Sequence, residues 1–176
     1  MNFLHPEKII PLFQIVEGMK VADLGCGAGF FTVLLAKAVG ENGEIFAVDV
    51  QKSSLESVKI KAQAEGISNI KTIWADLEVY GSTKISGDSL DVVLLSNMLF
   101  QSQKKRAIIK EVRRILSQSG KLVIIDWQSE ALDIGPKGGY RLAKNDMVKL
   151  AEEVGFKLDR EFAVSDYHYG LMFGKN

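Results

Sequence analysis

The sequence feature that most constrains the fold is the segment of residues 21–32, which reads VADLGCGAGFFT. Its first residues form a short apolar run, typical of a buried parallel strand. Gly25, Gly27 and Gly29 follow at alternate positions, and apolar residues then recur at helical spacing from position 31 to position 38. A strand, a glycine turn and a helix in this order let the backbone approach a ligand closely, because glycine has no Cβ, and they point helix N–H groups at that ligand.

The spacing of the glycines discriminates between the ligands that such turns bind. A dinucleotide-binding turn reads Gly-x-Gly-x-x-Gly, and its last glycine would fall on Phe30. A phosphate-binding loop needs Gly-Lys-Ser/Thr at the start of the helix, but the first lysine after the turn is Lys37. Asp23, at the end of the strand, would repel a diphosphate and favours a ligand that carries a cation.

The remaining pattern, Asp-x-Gly-x-Gly-x-Gly, resembles motif I of the class I S-adenosylmethionine-dependent methyltransferases. The cofactor of that family carries an ammonium and a sulfonium group, which suits an acidic strand end. The resemblance implies that the turn and the first helical residue bind S-adenosylmethionine. The residues implied are Asp23, Gly25, Cys26, Gly27, Gly29 and Phe30.

Composition indicates an ordinary soluble domain. At 176 residues, the chain is predicted to be a single domain, with residues 1–19 as an N-terminal helical segment. The formal net charge is zero, so no global field favours nucleic acid or a membrane. We expect no membrane span, no disulfide from the single Cys26 and no metal site, and therefore a cytoplasmic protein.

The second predicted strand, residues 44–48, ends at Asp49. An acidic residue at a strand end, roughly 20 residues after a glycine turn, suits the hydroxyls of a ribose, because one carboxylate accepts from both vicinal hydroxyls. The alternative is that Asp49 only terminates the strand or caps the next helix. With the following Val50, it is assigned to the cofactor site.

The third predicted strand, residues 70–74, is followed by Ala75, Asp76 and Leu77. In the methyltransferase family, an acidic residue at this place accepts from the adenine amino group, and its apolar neighbour packs on the ring. The resemblance assigns these roles to Asp76 and Leu77, with Ala75 beside them. The alternative is an ordinary turn acid next to a half-buried leucine.

The fourth predicted strand, residues 91–95, leads into Ser96, Asn97 and Met98. This loop resembles motif IV of the family, where the methionine part of the cofactor meets the substrate. Asn97 would accept from the ammonium group or orient a substrate. The Asn-Pro-Pro-Tyr signature of amino-methylating DNA enzymes is missing, which disfavours that chemistry.

Two further stretches bear on the acceptor. The helix predicted after Ser102 carries a run of lysines and arginines interrupted by Glu111, which we interpret as a solvated face rather than a phosphate-binding surface. Residues 128–143 lack a period and contain several glycines, as binding loops and lids do. Aromatic residues near the predicted mouth and one arginine are the substrate candidates: Phe100, Trp127, Tyr140 and Arg141.

No catalytic dyad is evident, and the candidates for a general base are His168 and Tyr140. The predicted fold is a Rossmann-like, doubly wound α/β sheet of seven strands in the order 3-2-1-4-5-7-6, with strand 7 antiparallel. The resemblance covers nearly the whole chain. Within the family, the chain most resembles small proteins similar to ubiquinone/menaquinone methyltransferases.

The implied function is transfer of a methyl group from S-adenosylmethionine to a small-molecule acceptor, with S-adenosylhomocysteine as the product. Two alternatives stay open: a non-catalytic protein that binds S-adenosylmethionine, and an NAD(P)-dependent oxidoreductase. The acceptor, and whether the chain is a monomer or a homodimer, are left open.

Overall fold

The computed structural model describes residues 4–129, 134–137 and 140–176. They form a seven-stranded sheet in the order 3-2-1-4-5-7-6, which confirms the predicted doubly wound topology. Strands β1 to β5 pair in parallel, and β7 runs antiparallel between β5 and β6. The strands are Lys20–Leu24 (β1), Glu44–Asp49 (β2), Ile70–Trp74 (β3), Leu90–Ser96 (β4), Leu116–Trp127 (β5), Phe156–Ala163 (β6) and His168–Lys175 (β7).

Five α-helices accompany the sheet in the described part of the chain, and none of these is long and apolar enough to cross a bilayer. They are Pro6–Ile9 (α1), Phe30–Val39 (α2), Lys52–Ala64 (α3), Lys105–Ile115 (α4) and Lys144–Glu153 (α5). The first of them ends just before Pro11, because proline cannot donate the helical hydrogen bond. The chain continues there as a short 3-10 helix, Ile10–Phe13.

The central strands are buried on both faces because alternate side chains point to opposite sides of the sheet. In β4, Val93 and Leu95 face the core formed with α4 and α5, whereas Val92 and Leu94 face the core formed with α1 and α2. This explains why β4 reads as a continuous apolar run rather than an alternating one. The arrangement leaves the carboxyl ends of β1 to β5 along one rim of the sheet.

The interpretation of the charged face of α4 as solvated is wrong for the C-terminal half of this helix. Glu111 is fully buried, and it accepts hydrogen bonds from the Gly81 N–H at 2.8 Å and the Thr83 hydroxyl at 2.5 Å. The Arg114 guanidinium binds the same carboxylate at 2.7 and 2.9 Å. This acid and one of the arginines therefore anchor the loop between β3 and β4, instead of facing water.

Candidate functional site

A cavity of about 760 Å³ opens at the carboxyl ends of β1, β2 and β4. Its volume falls within the range of sites for cofactors and other small molecules, about 300–1,000 Å³. In a doubly wound sheet, this rim is where ligands bind, because the loops that leave neighbouring strands diverge there. The glycine turn forms one wall of the cavity.

Close packing explains why two of the three positions in the turn are glycine. Gly25 has a φ of +76°, and a Cβ there would lie 2.9 Å from the Cβ of Met98. Gly29 has a φ of +79°, and a Cβ there would lie 2.8 Å from a methyl group of Val58 in α3. Gly29 therefore fixes how α2 meets α3 and does not line the cavity.

Gly27 lies at the cavity itself, and no described atom is within 4 Å of where its Cβ would be. Its N–H donates to Asp49 at 2.9 Å, and the other oxygen of Asp49 accepts from the Gln51 N–H at 2.8 Å. Asp49 thus fastens the glycine turn to the end of β2. Each carboxylate oxygen has two lone pairs, so each keeps one for a ligand hydroxyl.

Asp23 is a buried carboxyl on the cavity wall at the end of β1. Its Oδ2 accepts from the Thr32 hydroxyl at 2.6 Å, and its side chain is almost inaccessible to water. Burial raises the pKa of Asp23 to about 6; the Thr32 hydrogen bond opposes the rise, and the Asp49 carboxylate adds to it. A cationic ligand would favour the ionised form and relieve this cost.

Asn97 contributes an amide oxygen that could accept a hydrogen bond from a ligand. The residue lines the cavity with a φ of +52°, a conformation that few residues other than glycine adopt. Its Oδ1 is buried and finds no hydrogen-bond partner among the residues that the structure describes. A buried polar atom without a partner costs free energy, so a donor on a bound ligand would be stabilised here.

The opposite end of the cavity is formed by Ala75, Asp76 and Leu77, which follow β3, and by Ile108 of α4. Leu77 and Ile108 are buried, whereas Asp76 is exposed. One oxygen of Asp76 accepts from the Glu78 N–H at 2.9 Å. This end combines apolar walls with an acidic rim.

The structure brings thirteen of the fourteen predicted cofactor residues to this cavity, and Gly29 is the exception. Their contacts with a cofactor stay a prediction, since position on a wall does not by itself assign a role. The thirteen are Asp23, Gly25, Cys26, Gly27, Phe30, Asp49, Val50, Ala75, Asp76, Leu77, Ser96, Asn97 and Met98.

The predicted acceptor residues are not among the described residues that line the cavity. Arg141 donates to the carbonyl oxygens of Ile134, Pro136 and Gln128, and its guanidinium lies 5.5 Å from the Trp127 ring centre. Tyr140 is exposed. The loop predicted as a lid lies partly outside the described residues, at 130–133 and 138–139. The substrate roles of Phe100, Trp127, Tyr140 and Arg141 therefore stay predictions.

His168, a candidate general base, is buried away from the cavity wall. Its Nδ1 lies 2.8 Å from the Ser165 hydroxyl oxygen, and its ring lies 4.2 Å from that of Trp127. Burial lowers the pKa of His168 to about 4, and the positive charge of Arg141 acts in the same direction. The imidazole is therefore neutral at pH 7, and its role as a base stays a prediction.

Sequence reasoning missed several residues of the wall. Ala28, Phe31, Gln51 and Glu78 adjoin predicted cofactor residues and could have been found by proximity along the chain. The others come from segments that the sequence did not connect with the cofactor site, such as the N-terminal segment. They are Leu4, Pro6, Ser54, Gln101, Ser102 and Ile108. Within the described ranges, no cluster of three His, Cys, Asp or Glu side chains could hold a metal ion.

Comparisons with known proteins agree with this geometry. The model of the "Methyltransferase domain" family matches residues 15–162. The demethylmenaquinone methyltransferase of Lactococcus lactis subsp. lactis is 29% identical over 137 residues, which cover 78% of this chain and 53% of that protein. The chain thus spans about half the length of the curated relatives it matches.

Solved structures extend the likeness to nearly the whole chain. A SAM-dependent methyltransferase from Aquifex aeolicus has a TM-score of 0.90 and 26% identity, covering 98% of this chain and 90% of that one. A putative type 11 methyltransferase from Sulfolobus solfataricus has a TM-score of 0.80 and 27% identity, covering 98% and 93%. The chain therefore belongs to the methyltransferase-domain family and has the class I fold of its S-adenosylmethionine-dependent relatives.

Proposed function

We propose that this chain uses S-adenosylmethionine to methylate a small, planar and largely apolar acceptor. The observation that carries the proposal is the wall of the cavity. Three carboxylates, Asp23, Asp49 and Asp76, stand at or just after the ends of three adjacent strands, and the unpartnered amide oxygen of Asn97 lines the same cavity. A ligand that carries positive charge and several hydrogen-bond donors fits such a wall.

The donor groups of S-adenosylmethionine match these acceptors one by one. The ribose hydroxyls would donate to Asp49, the adenine amino group to Asp76, and the ammonium group to Asn97, with Asp23 contributing negative charge beside it. When bound, this cofactor supplies a methyl group on a positively charged sulfur that is a good leaving group. The residues then have to align the reactants and exclude water, and alignment alone can contribute about 7–11 kcal/mol.

The acceptor class follows from the apolar part of the wall. Leu4, Pro6 and Phe31 line the cavity but are not needed for the polar groups of the cofactor. A flat apolar ring is well suited to such a surface, since its burial is favourable and requires few hydrogen bonds. The relatives named as demethylmenaquinone methyltransferases act, by their names, on a molecule with a planar quinone ring. We extend that acceptor class to this chain.

Calorimetry on Asp49 tests the cofactor site. Wild type and Asp49→Ala are titrated with S-adenosylhomocysteine and with its 2′-deoxy analogue. We expect Asp49→Ala to weaken binding of S-adenosylhomocysteine at least tenfold, about 1.4 kcal/mol. Because Asp49 also holds Gly27 and Gln51, the 2′-deoxy analogue separates the two roles. The missing hydroxyl should weaken binding to wild type but not weaken binding to Asp49→Ala any further.

Turnover tests the reaction itself. Formation of S-adenosylhomocysteine is followed with a short-chain demethylmenaquinol kept in the reduced state, with a catechol and with a free amine as acceptors. The reduced form is used because its electron-rich ring carbon can attack the methyl group and then lose a proton, whereas the oxidised quinone is not a nucleophile. The proposal predicts turnover with the quinol. Tight cofactor binding without turnover on any acceptor would favour the non-catalytic alternative, and absence of binding by folded protein would overturn the proposal.

A further inference from the structure

Two segments that are distant in sequence meet at the Ala75–Leu77 end of the cavity. Glu78 follows β3, and Ser102 precedes α4; the Ser102 hydroxyl donates to Glu78 Oε1 at 2.7 Å. Both residues line the cavity, and Ser102 is buried. No role in cofactor binding has been assigned to either residue above.

We propose that this hydrogen bond is a latch that closes the adenine end of the cavity, and that Glu78 makes this end selective for a purine with an exocyclic amino group. The inference rests on the proposed function, which places adenine beside Asp76 and Leu77. It adds a closing contact and a selecting group that the placement of adenine does not itself require.

Glu78, the first partner of the latch, lies in a turn after β3. The Glu78 N–H donates to Asp76 Oδ1 at 2.9 Å, and the Ser82 hydroxyl donates to the Asp76 carbonyl at 2.5 Å. These two contacts form a local, side-chain-supported turn of the kind that aspartate favours. The backbone of Glu78 is therefore held close to Asp76, and both acids line the same end of the cavity.

Ser102, the second partner of the latch, is positioned by contacts at the start of α4. The Ser102 hydroxyl oxygen accepts from the Lys104 N–H at 2.9 Å, and the Ser102 carbonyl accepts from the Lys105 ammonium group. With one lone pair engaged, the hydroxyl directs its proton to Glu78. The Lys104 ammonium also lies 3.6 Å from Glu78 Oε2, but an exposed ion pair of that length contributes little. The hydroxyl is thus the directional contact.

The selectivity follows from the donors and acceptors of the purine. An adenine amino group donates two N–H bonds, and ionised Asp76 and Glu78 can only accept. A 6-oxo purine would instead present oxygen lone pairs to the same carboxylates. Sites built to pair with a donor reject the analogue that lacks it, by factors of about 10⁴–10⁵ when they are fully enclosed. Since Asp76 is exposed, we expect a smaller factor, about 100.

Two substitutions separate the two halves of the proposal. Ser102→Ala removes the latch but retains the Glu78 side chain. Glu78→Gln keeps an oxygen that accepts from Ser102, but replaces the other oxygen with an amide N–H₂ that can donate to a 6-oxo group. Ser102→Thr is the conservative variant, because it retains the hydroxyl.

The experiment is calorimetry with S-adenosylhomocysteine and S-inosylhomocysteine, which carries the 6-oxo purine. We expect wild type to prefer the adenosyl compound about 100-fold. Ser102→Ala should weaken both ligands about tenfold and keep the ratio, Ser102→Thr should restore affinity, and Glu78→Gln should reduce the ratio at least tenfold. Glu56→Gln, on the exposed face of α3, is the matched control and should change neither value.

Each contrary result overturns a specific part of the proposal. Unchanged affinity in Ser102→Ala overturns the latch, and an unchanged ratio in folded Glu78→Gln overturns the selectivity. If Ser102→Ala does not fold, the comparison of Ser102→Thr with wild type decides, and a loss of affinity there overturns the latch. Wild type that binds neither compound overturns the proposed function instead, so the two failures are distinguishable.

Discussion

Asp126, at the end of β5, is a buried carboxyl that the sequence gives no reason to single out. It accepts from the Trp127 N–H at 2.8 Å, and its Oδ2 has no hydrogen-bond partner in the described part of the chain. Burial raises the pKa of Asp126 to about 6; hydrogen bonds from the Trp127 and Phe100 N–H groups and the charge of Lys105 oppose the rise. The ionised carboxylate therefore reduces the stability of the folded protein.

Replacing this acid should make the protein more stable at neutral pH. The folded-state pKa lies above the ordinary 3.8, so wild type loses stability as pH rises from about 4 to about 6. At about 1.4 kcal/mol per pKa unit, the loss is at most about 3 kcal/mol. We expect the advantage of Asp126→Asn over wild type to grow by up to that amount between pH 4 and pH 7, measured as free energy of unfolding in urea.

The control for this experiment is Glu41→Gln, which makes the same carboxyl-to-amide change at an exposed position and should alter the free energy of unfolding by no more than about 0.5 kcal/mol. Asp23 also has a raised pKa, but it is present in both proteins and its contribution cancels in the difference. An advantage of Asp126→Asn that does not change with pH would contradict the assignment of the raised pKa.

At the scale of elements, the contact between α4 and the loop from β3 to β4 depends on one buried acid. Burial raises the pKa of Glu111, but hydrogen bonds from Arg114, Thr83 and the Gly81 N–H outweigh it and hold the pKa below its ordinary value. The carboxylate is therefore the form that supports the loop. Such a group stabilises the fold above its ordinary pKa and loses that contribution as pH falls through the lowered value.

Removing Glu111 from its ion pair with Arg114 should lower the free energy of unfolding substantially. Glu111→Ala leaves the Arg114 guanidinium and the Thr83 hydroxyl without their acceptor, and breaking a buried pair costs about 3–5 kcal/mol. The matched control is Glu153→Ala in α5, which removes an exposed ion pair with Arg106, worth about 0–1 kcal/mol. Urea unfolding at pH 7 measures both, and equal losses would contradict the anchoring role of Glu111.

Local patterns predicted the elements well and their polar contacts poorly. The bounds predicted for the third strand match β3, and the helical spacing noted at positions 31–38 falls within α2, because apolar spacing and glycines mark these elements directly. Glu111 was misread because a charged residue in a run of lysines and arginines is usually solvated. Its partners lie about 30 residues away in sequence, in a loop with no period of its own.

For the whole molecule, the strand order was predictable from the resemblance to the methyltransferase family, and parallel strands with helical crossovers permit few other arrangements. The side of the cavity that we propose for the cofactor was also predictable on physical grounds, since the ends of neighbouring strands meet at one rim. The side that we propose for the acceptor was not, because Leu4 and Pro6 reach the cavity by tertiary packing alone. Arg141 likewise turns back onto carbonyl groups of its own loop, which no sequence spacing indicates.

Because the cavity is assembled from residues between Leu4 and Ile108, only the folded chain can bind its ligand, and binding should stabilise the whole molecule. S-adenosylhomocysteine at 100 times its Kd should add about 2.7 kcal/mol. For a chain of this length, the melting temperature should rise by about 5–10 °C. NAD⁺ at the same concentration should leave it unchanged, because Asp23 and the glycine spacing disfavour a diphosphate.

Scanning calorimetry of wild type and Asp49→Ala checks this prediction, and the variant should show a smaller shift than wild type at equal ligand concentration. A rise with NAD⁺ that matches or exceeds the rise with S-adenosylhomocysteine would favour the oxidoreductase alternative. A rise with neither ligand would contradict the proposed use of the cavity, since any ligand that binds the folded state alone must raise its stability by mass action.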